Sequence, residues 1–288
     1  MPCGSVEAFS LTLNTMTAAS LLRARYGQPE FPDSDVCSPL IAQLLTHCTV
    51  RHHLPEPVSD AQLTAIVAAA QSAASSSNLQ PWSVIAVREP ATRARLAQLA
   101  GDQIHVQQAP LVLVWLADLA RLEAVAHAEG LTHDALDYLE MALVGVIDAA
   151  LAAQNAMVAA ESLGLSGCYI GGLRNQPEAV AELLGLPSRV FAVFGMTLGK
   201  EDPAQQASVK PRLPQPAVLH QERYRPVAEQ QADVATYNEA MAAFYAQQQM
   251  KVRGTWAVHS GKRVATPEAL TGRDRLKEAL QALGFPLK

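Results

Sequence analysis

The sequence predicts a fold in which helices alternate with four short strands. Two apolar runs have the length of strands, at residues 83–87 and 111–116, and the second is typical of a buried strand. Further β-prone runs lie around Tyr169 and at residues 189–198. A much longer apolar stretch of helical character separates the second strand from the third. No internal repeat or low-complexity block interrupts this α/β alternation.

The longest predicted helix covers residues 132–163, and we expect the rest of the chain to be arranged around it. Thr132 is a suitable N-cap, and Gly164 follows the last apolar position as a C′ glycine does. At about 1.5 Å per residue, such a helix is about 50 Å long. Acids and amides recur too often for the roughly 20 uninterrupted apolar residues of a membrane span. Many alanines permit close approach of another helix, which favours a buried central helix shared with a second subunit.

Shorter helices are predicted on both sides of this element, at residues 39–47, from the Ser59 cap, and at 93–99, 177–184 and 233–248, with a last helix ending at Leu283. Residues 200–225 are polar and rich in proline, which favours a rigid extended path that would fix Lys210 and Arg212 in place. Residues 1–37 are predicted to be an N-terminal extension, either an appended helix and linker or a poorly ordered tail. Residues 38–288 are predicted to be the main domain.

Composition excludes several classes of function. The 288 residues are 49% hydrophobic and 17% charged, with a net charge of -5, which argues against nucleic acid or an anionic membrane as the main partner. The four cysteines show no Cys-x-x-Cys spacing and are too few for a disulfide scaffold, so a reducing cytoplasmic setting is expected. The first 30 residues lack the basic start and apolar core of a secretory signal.

The motifs that carry chemistry exclude other classes. His47, Cys48, His52 and His53 are residue types that bind zinc, but Arg51 lies among them and no second ligand cluster exists, so no metal is expected. A Gly-x-Ser-x-Gly elbow, a Walker loop and a Gly-x-Gly-x-x-Gly fingerprint are absent. What remains is a set suited to an anion and a planar ring. It comprises Thr49, Arg51, the loop at 75–80, Gln103, the turn at 169–172, Lys210 and Arg212.

Five motifs in order resemble the nitroreductase family of FMN-dependent oxidoreductases, in its oxygen-insensitive, NADPH-dependent branch. The resemblance begins at about residue 38 and continues to the C-terminus. The motifs are His-x-Thr-x-Arg at 47–51, Ser-Ser-Ser-Asn-Leu-Gln-Pro-Trp at 75–82, Gly-Asp-Gln at 101–103, Tyr-Ile-Gly-Gly-x-Arg-Asn at 169–175 and Lys-Pro-Arg-Leu-Pro at 210–214.

The resemblance implies an α+β fold in which a central mixed sheet of four or five strands is flanked by helices. The long central helix would lie at a homodimer interface, with two FMN sites in clefts there. By position, His47, Thr49, Lys210 and Arg212 would hold the FMN phosphate. Arg51 would face the N1/O2 edge of the flavin, and Gln103 would face its pyrimidine edge. The remaining cofactor-binding positions are Cys48, Ser75, Ser76, Ser77, Gln80, Tyr169, Ile170, Gly171 and Gly172, with backbone N–H groups of the last two near N5.

The activity that the resemblance implies is transfer of a hydride from NADPH, through FMN, to nitroaromatics, quinones or flavins. Because the cofactor carries this chemistry, no protein nucleophile or other catalytic side chain is expected. Lys251 and Arg253, in the basic segment that continues to Lys262 and Arg263, are candidates for binding NADPH. Two departures from the family pattern stand out: Cys48 replaces a second basic residue, and Asn78 replaces a bulkier aromatic one.

Two alternatives remain open from the sequence. A flavin reductase that supplies reduced FMN to a partner monooxygenase would differ in its turnover of free FMN compared with quinones. A flavin-binding homologue without turnover would not be bleached by either nicotinamide cofactor.

Overall fold

The computed structural model describes residues 17–28 and 36–288, which fall into two compact units. The first unit combines Met1–Cys48 with Ala207–Leu270, and the second combines Thr49–Gln206 with Thr271–Lys288. The boundary between an N-terminal extension (1–37) and a main domain (38–288) stays a prediction. The two units each combine separate stretches of the sequence, so they do not test that boundary. The predictions for residues 1–16 and for the linker at 29–35 lie outside the described residues.

The second unit contains a four-stranded sheet in the order β1-β2-β4-β3. Every strand pair is antiparallel. The parallel component of the expected mixed sheet is reduced, within the described residues, to one isolated bridge between Thr49 and Gly167. The strands are β1 (Trp82–Val87), β2 (Leu111–Asp118), β3 (Ser166–Ile170) and β4 (Val190–Gly199). All four predicted strands are thus present, and β2 is buried along its whole length, as its apolar run predicted.

Eleven α-helices are found in the described part of the chain, and short 3-10 turns join several of them. Three of the helices, α5, α6 and α10, were not predicted from the sequence. In chain order they are α1 (Ala18–Tyr26), α2 (Pro39–Thr46), α3 (Asp60–Gln71), α4 (Pro90–Leu99), α5 (Ile104–Gln108), α6 (Ala120–Ala128), α7 (Leu139–Ser162), α8 (Pro177–Leu184), α9 (Gln231–Gln247), α10 (Trp256–Arg263) and α11 (Leu276–Ala282).

The central helix α7 is shorter than predicted, because it begins at Leu139 rather than at Thr132. Residues Asp134–Asp137 form a separate 3-10 turn. The Asp137 carboxylate accepts hydrogen bonds from Arg189 (2.7 Å) and Lys288 (2.7 Å), which lower its pKa to about 2. These long-range ion pairs hold the turn outside the helix. The predicted end at Gly164 is confirmed, with the Leu165 N–H bonded to the Ala160 carbonyl at 3.0 Å.

The alanine-rich face of α7 packs within its own unit. Ala152, Ala153, Ala156 and Ala160 are fully buried in one apolar cluster with residues of α3, β2 and β4. The Asn155 side chain donates a hydrogen bond of 3.1 Å to the Ala69 carbonyl of α3. The close helix approach that the alanines predicted is therefore made with α3 of the same chain. Although α7 is long and apolar enough to cross a membrane by length and composition, half of its most apolar window is buried in this packing.

The first unit is built from α1, α2, α9 and α10. Tyr237, Met241 and Phe244 of α9 form its buried cluster, against which Leu213 and Trp256 pack. Helix α1 confirms a helix within the N-terminal extension, capped by the Thr17 side chain. The basic segment that follows residue 250 contains α10, whose last turn carries Lys262 and Arg263.

Candidate functional site

The segment around Val50 holds two predicted FMN ligands on either side of a buried anchor. The Val50 N–H donates to the Gly167 carbonyl of β3 (2.9 Å), and the Val50 side chain is buried. Thr49 and Arg51, on either side of it, are exposed. The alternation follows from extended backbone, in which successive side chains point to opposite sides. An exposed guanidinium next to a fixed backbone is suited to binding an anionic group.

Cationic and neutral groups are concentrated around Arg51. Burial lowers the pKa of His105 on α5, and electrostatic interactions with Arg51 and His52 lower it further. Burial also lowers the pKa of His53 to about 4, which a backbone hydrogen bond at Gly199 opposes only in part. The neutral form of both half-buried imidazoles is therefore favoured. Because His105 lies two residues after Gln103, Arg51 and the Gly-Asp-Gln motif share one electrostatic environment.

The loop at residues 75–80 is held by a buried carboxylate of the central helix. Asp148 is 1% exposed and accepts hydrogen bonds from the Ser75 hydroxyl (2.6 Å) and the Ser76 N–H (3.3 Å). The Ser75 oxygen accepts in turn from the Gln80 N–H at 2.8 Å. The Ser75 hydroxyl thus donates to Asp148 and accepts from Gln80, so this side chain organises the loop.

The same loop carries backbone strain. Ser77, Asn78 and Gln80 all have positive φ, between 49° and 56°, a conformation that costs energy for residues with a side chain. Ser76, Ser77 and Gln80 are exposed, as expected of residues that line a cofactor. The Gln80 side chain donates to the Asn78 side chain at 3.2 Å. Such strain concentrates at functional sites, where the surrounding structure maintains it.

The glycine turn after β3 meets the Gly-Asp-Gln motif. A Cβ on Gly172 would lie 2.4 Å from the Ala100 carbonyl oxygen and 2.5 Å from Gln103 Nε2, so only glycine fits there. Gln103 Nε2 donates to that same carbonyl at 2.7 Å. The absence of a side chain at Gly172 therefore lets its backbone approach Ala100 and Gln103 of the protein itself. The structure brings two predicted FMN-binding motifs into direct contact.

The residues before this turn have different environments. Ile170 is buried in the apolar core, so its contribution to a site is limited to its backbone. Tyr169 is partly exposed and stacks edge-on against Phe194, with ring centroids 5.4 Å apart. Its hydroxyl donates to Gln154 of α7 at 3.3 Å, and burial raises its pKa. Gly171 lies next to Arg174 and is partly exposed.

The first unit carries the basic residues that are predicted to bind the phosphate. Arg25 of α1 donates hydrogen bonds to the carbonyls of His47 (2.8 Å) and Lys210 (3.1 Å). Two segments separated by more than 160 residues in sequence therefore meet at one guanidinium. Lys210 and Arg212 are exposed, and Lys210 Nζ lies 6.0 Å from the centre of the Phe244 ring. Cys48 is half-buried, and its thiol donates to the Thr46 carbonyl.

The NADPH candidates lie between α9 and α10. Lys251 and Arg253 are exposed, and the Thr255 side chain caps the helix that follows them. Arg263 donates to the Ala269 carbonyl, so this cation is used to hold the local backbone. Among the described residues, no group of three or more histidine, cysteine or acidic side chains is placed to hold a metal ion.

Two consecutive segments of the chain match models of one known protein family. Residues 44–200 match the nitroreductase family, and residues 210–288 match the C-terminal domain of that family. The chain belongs to the nitroreductase family. It is 44% identical to an oxygen-insensitive NADPH nitroreductase of Salmonella typhimurium over 77% of this chain and 89% of that one.

Other relatives agree with this assignment to the nitroreductase family. The chain is 39% identical to an NADPH-flavin oxidoreductase of Vibrio harveyi, over 75% of this chain and 87% of that one. Its structure is similar to that of an NADPH:FMN oxidoreductase from Vibrio harveyi complexed with NAD+. The TM-score is 0.77 at 35% identity, over 87% of this chain and 100% of that one.

The residues present fit FMN, as the family predicts. The second unit supplies a glycine cradle against Gln103, exposed hydroxyls on a strained loop and the exposed cation of Arg51. The first unit carries the exposed cations of Lys210 and Arg212. Sequence reasoning missed one organising residue in each unit, Asp148 in the second and Arg25 in the first. A carboxylate in the middle of an apolar helix was a signal for Asp148. No sequence signal identified Arg25, because its partners lie in distant segments.

Proposed function

We propose that this protein is an FMN-dependent oxidoreductase that uses NADPH to reduce nitroaromatics, quinones or flavins. The observation that carries the proposal is the contact of Gly172 with Gln103, because it joins the glycine turn to the carboxamide predicted for the pyrimidine edge of the flavin. Membership of the nitroreductase family and the relatives described above support the same activity.

The side chains bind and orient the cofactor, and FMN supplies the chemistry when bound, accepting a hydride from NADPH and passing electrons to the acceptor. Arg51 is proposed to face the N1/O2 edge, where its fixed charge favours the negatively charged reduced form. The proximity of Arg51 lowers the pKa of His105, which favours the neutral imidazole beside this guanidinium. Asp148 holds the loop at 75–80 in place through Ser75 and Ser76, and the exposed side chains of that loop would line the cofactor. His47, Thr49, Lys210 and Arg212 are proposed to bind the phosphate.

The phosphate assignment is tested by changing both Lys210 and Arg212 to alanine. Each charge-assisted hydrogen bond contributes about 1.5–3 kcal/mol, so FMN affinity should fall by at least about 100-fold. Fluorescence titration of the apoprotein with FMN measures this directly. Arg223→Ala, an exposed arginine of the same proline-rich segment, is the matched control and should keep the affinity. If the double variant binds FMN as tightly as the parent does, the phosphate lies elsewhere.

We also propose a homodimer built on α7. Leu139, Leu143, Ile147 and Leu151 recur every four residues and form one stripe, with 44% to 55% of their surfaces exposed. A stripe of this size on a helix whose opposite face is buried is typical of a subunit interface.

The described cysteines, Cys37, Cys48 and Cys168, carry thiols, which fits the proposed cytoplasmic location.

Recognition of NADPH is proposed to involve Arg253. The 2′-phosphate carries nearly two negative charges, and a guanidinium can bind it through two parallel hydrogen bonds. Arg253→Ala should lower kcat/KM for NADPH by about ten- to a hundred-fold and leave that for NADH nearly unchanged. Equal losses with both donors, or no loss with either, would show that another residue recognises the phosphate. Lys262→Ala, in the same basic segment, is the control.

A further inference from the structure

Helix α1 lies outside the residues that match the nitroreductase family, yet it contacts the segments that carry the proposed phosphate ligands. Its Arg25 is 7% exposed. The guanidinium donates to the Leu45 carbonyl through Nη2 (2.7 Å) and Nε (3.2 Å), to the His47 carbonyl at 2.8 Å and to the Lys210 carbonyl at 3.1 Å. A planar, rigid donor group of this kind fixes the relative positions of the backbones that it joins.

The backbone of the helix adds to the same junction. The Arg212 N–H donates to the Arg25 carbonyl at 3.0 Å, so the Lys210 and Arg212 backbones are both bound by one residue. Gly27 ends the helix with a φ of 63°, and a Cβ there would lie 3.0 Å from both Pro211 and Ala240. The end of α1 is thus packed tightly against the proline between the two cations.

This arrangement has a consequence for ligand binding. A phosphate is bound strongly only when its donors are already in place, because ordering them on binding costs free energy. His47 and the pair Lys210 and Arg212 come from distant parts of the sequence, and Arg25 is the side chain that holds both backbones. The family position that usually carries a second base is Cys48 here, so the remaining donors depend more strongly on their placement.

We propose that α1 is a working part of the FMN phosphate site, in which Arg25 is a positioning residue for His47, Lys210 and Arg212. The proposal rests on the proposed function, since it assumes that these residues bind the phosphate. The competing interpretation is that Arg25 only satisfies the last carbonyls of α2 and stabilises the fold, as a basic side chain at a helix C-terminus does.

Riboflavin, which has the same ring system as FMN but no phosphate, separates the two interpretations. The apoprotein and its Arg25→Met variant are titrated with FMN and with riboflavin by fluorescence. We expect the variant to lose about ten- to a hundred-fold in FMN affinity while its riboflavin affinity changes by less than about three-fold. Arg23→Ala, an exposed arginine of the same helix, is the matched control and should change neither affinity.

A second variant covers the case in which Arg25→Met does not fold. Arg25→Lys keeps the charge and the aliphatic stem but replaces the planar fork by a single ammonium, and it should show a smaller loss that is again confined to FMN. Parallel losses for FMN and riboflavin, or an unchanged preference for FMN in the folded variants, would overturn the proposal. A parent protein that binds FMN no more tightly than riboflavin would instead refute the phosphate assignment of the proposed function.

Discussion

Arg51 is proposed to stabilise the negatively charged reduced flavin, and this role is measurable as the midpoint potential of bound FMN. Removing the guanidinium in Arg51→Ala should disfavour the negatively charged reduced flavin. A contribution of about 1.5–3 kcal/mol corresponds to a two-electron midpoint potential that is about 30–60 mV lower. Spectroelectrochemical titration of bound FMN measures it, with Arg88→Ala as a control, since Arg88 is paired with Asp60. An unchanged potential would remove Arg51 from this role.

His53 predicts how the stability of the second unit depends on pH. Its pKa is about 4 in the folded protein and about 6.5 in an unfolded chain. Between these values the unfolded state binds more protons, so the stability due to neutral His53 is complete above pH 6.5 and is lost as the pH falls to 4. The loss is at most about 3 kcal/mol, and solvent screening at this half-buried site reduces it.

Urea unfolding at pH 4.5 and pH 7 measures this slope. In His53→Asn, the difference in unfolding free energy between the two pH values should be smaller than in the parent protein. His52→Asn, a change at the exposed neighbouring histidine, should keep most of the difference. A His53 variant with the parent's full acid sensitivity would show that other groups cause it.

At the scale of elements, the sequence predicted helix ends well where the residue that marks the end also forms the cap. The Ser59 cap of α3 is real, because the Ser59 hydroxyl and the Gln62 side chain satisfy each other's backbone groups. Helix α8 was predicted with its observed bounds, since Pro177 starts it and Gly185 ends it. The start of α7 was wrong because Arg189 and Lys288 hold Asp137 from far along the chain.

The exposed stripe of α7 predicts the effect of adding charge to it. Ile147→Glu, alone or with Leu143→Glu, places carboxylates where the proposed interface excludes water, which costs several kcal/mol per buried unpaired charge. Light scattering should then report a monomer, and FMN should be lost with the dimer. Val125→Glu, at an equally exposed apolar position of α6, is the control and should remain a dimer. A dimer that survives both changes would place the interface on another surface.

At the scale of the whole molecule, the sequence predicted the strands and the motifs but not the contacts that unite them. Thr49, Arg51, Gln103 and the glycine turn were found because each belongs to a short pattern with its own chemistry. Asp148 and Arg25 act through partners more than 20 residues away, which no local pattern contains. The sheet was expected to be mixed, and its antiparallel order follows from pairings that strand sequences alone do not specify.

The central claim is that NADPH reduces FMN bound to this protein and that a second molecule then oxidises it. An anaerobic titration of the purified protein, reconstituted with FMN, tests the claim most directly. We expect about one FMN per chain, bleaching of its visible absorbance by about one equivalent of NADPH, and full recovery of the absorbance when a quinone or nitroaromatic is added. A protein that does not take up FMN, or whose bound FMN is bleached by neither NADPH nor NADH, would contradict the account.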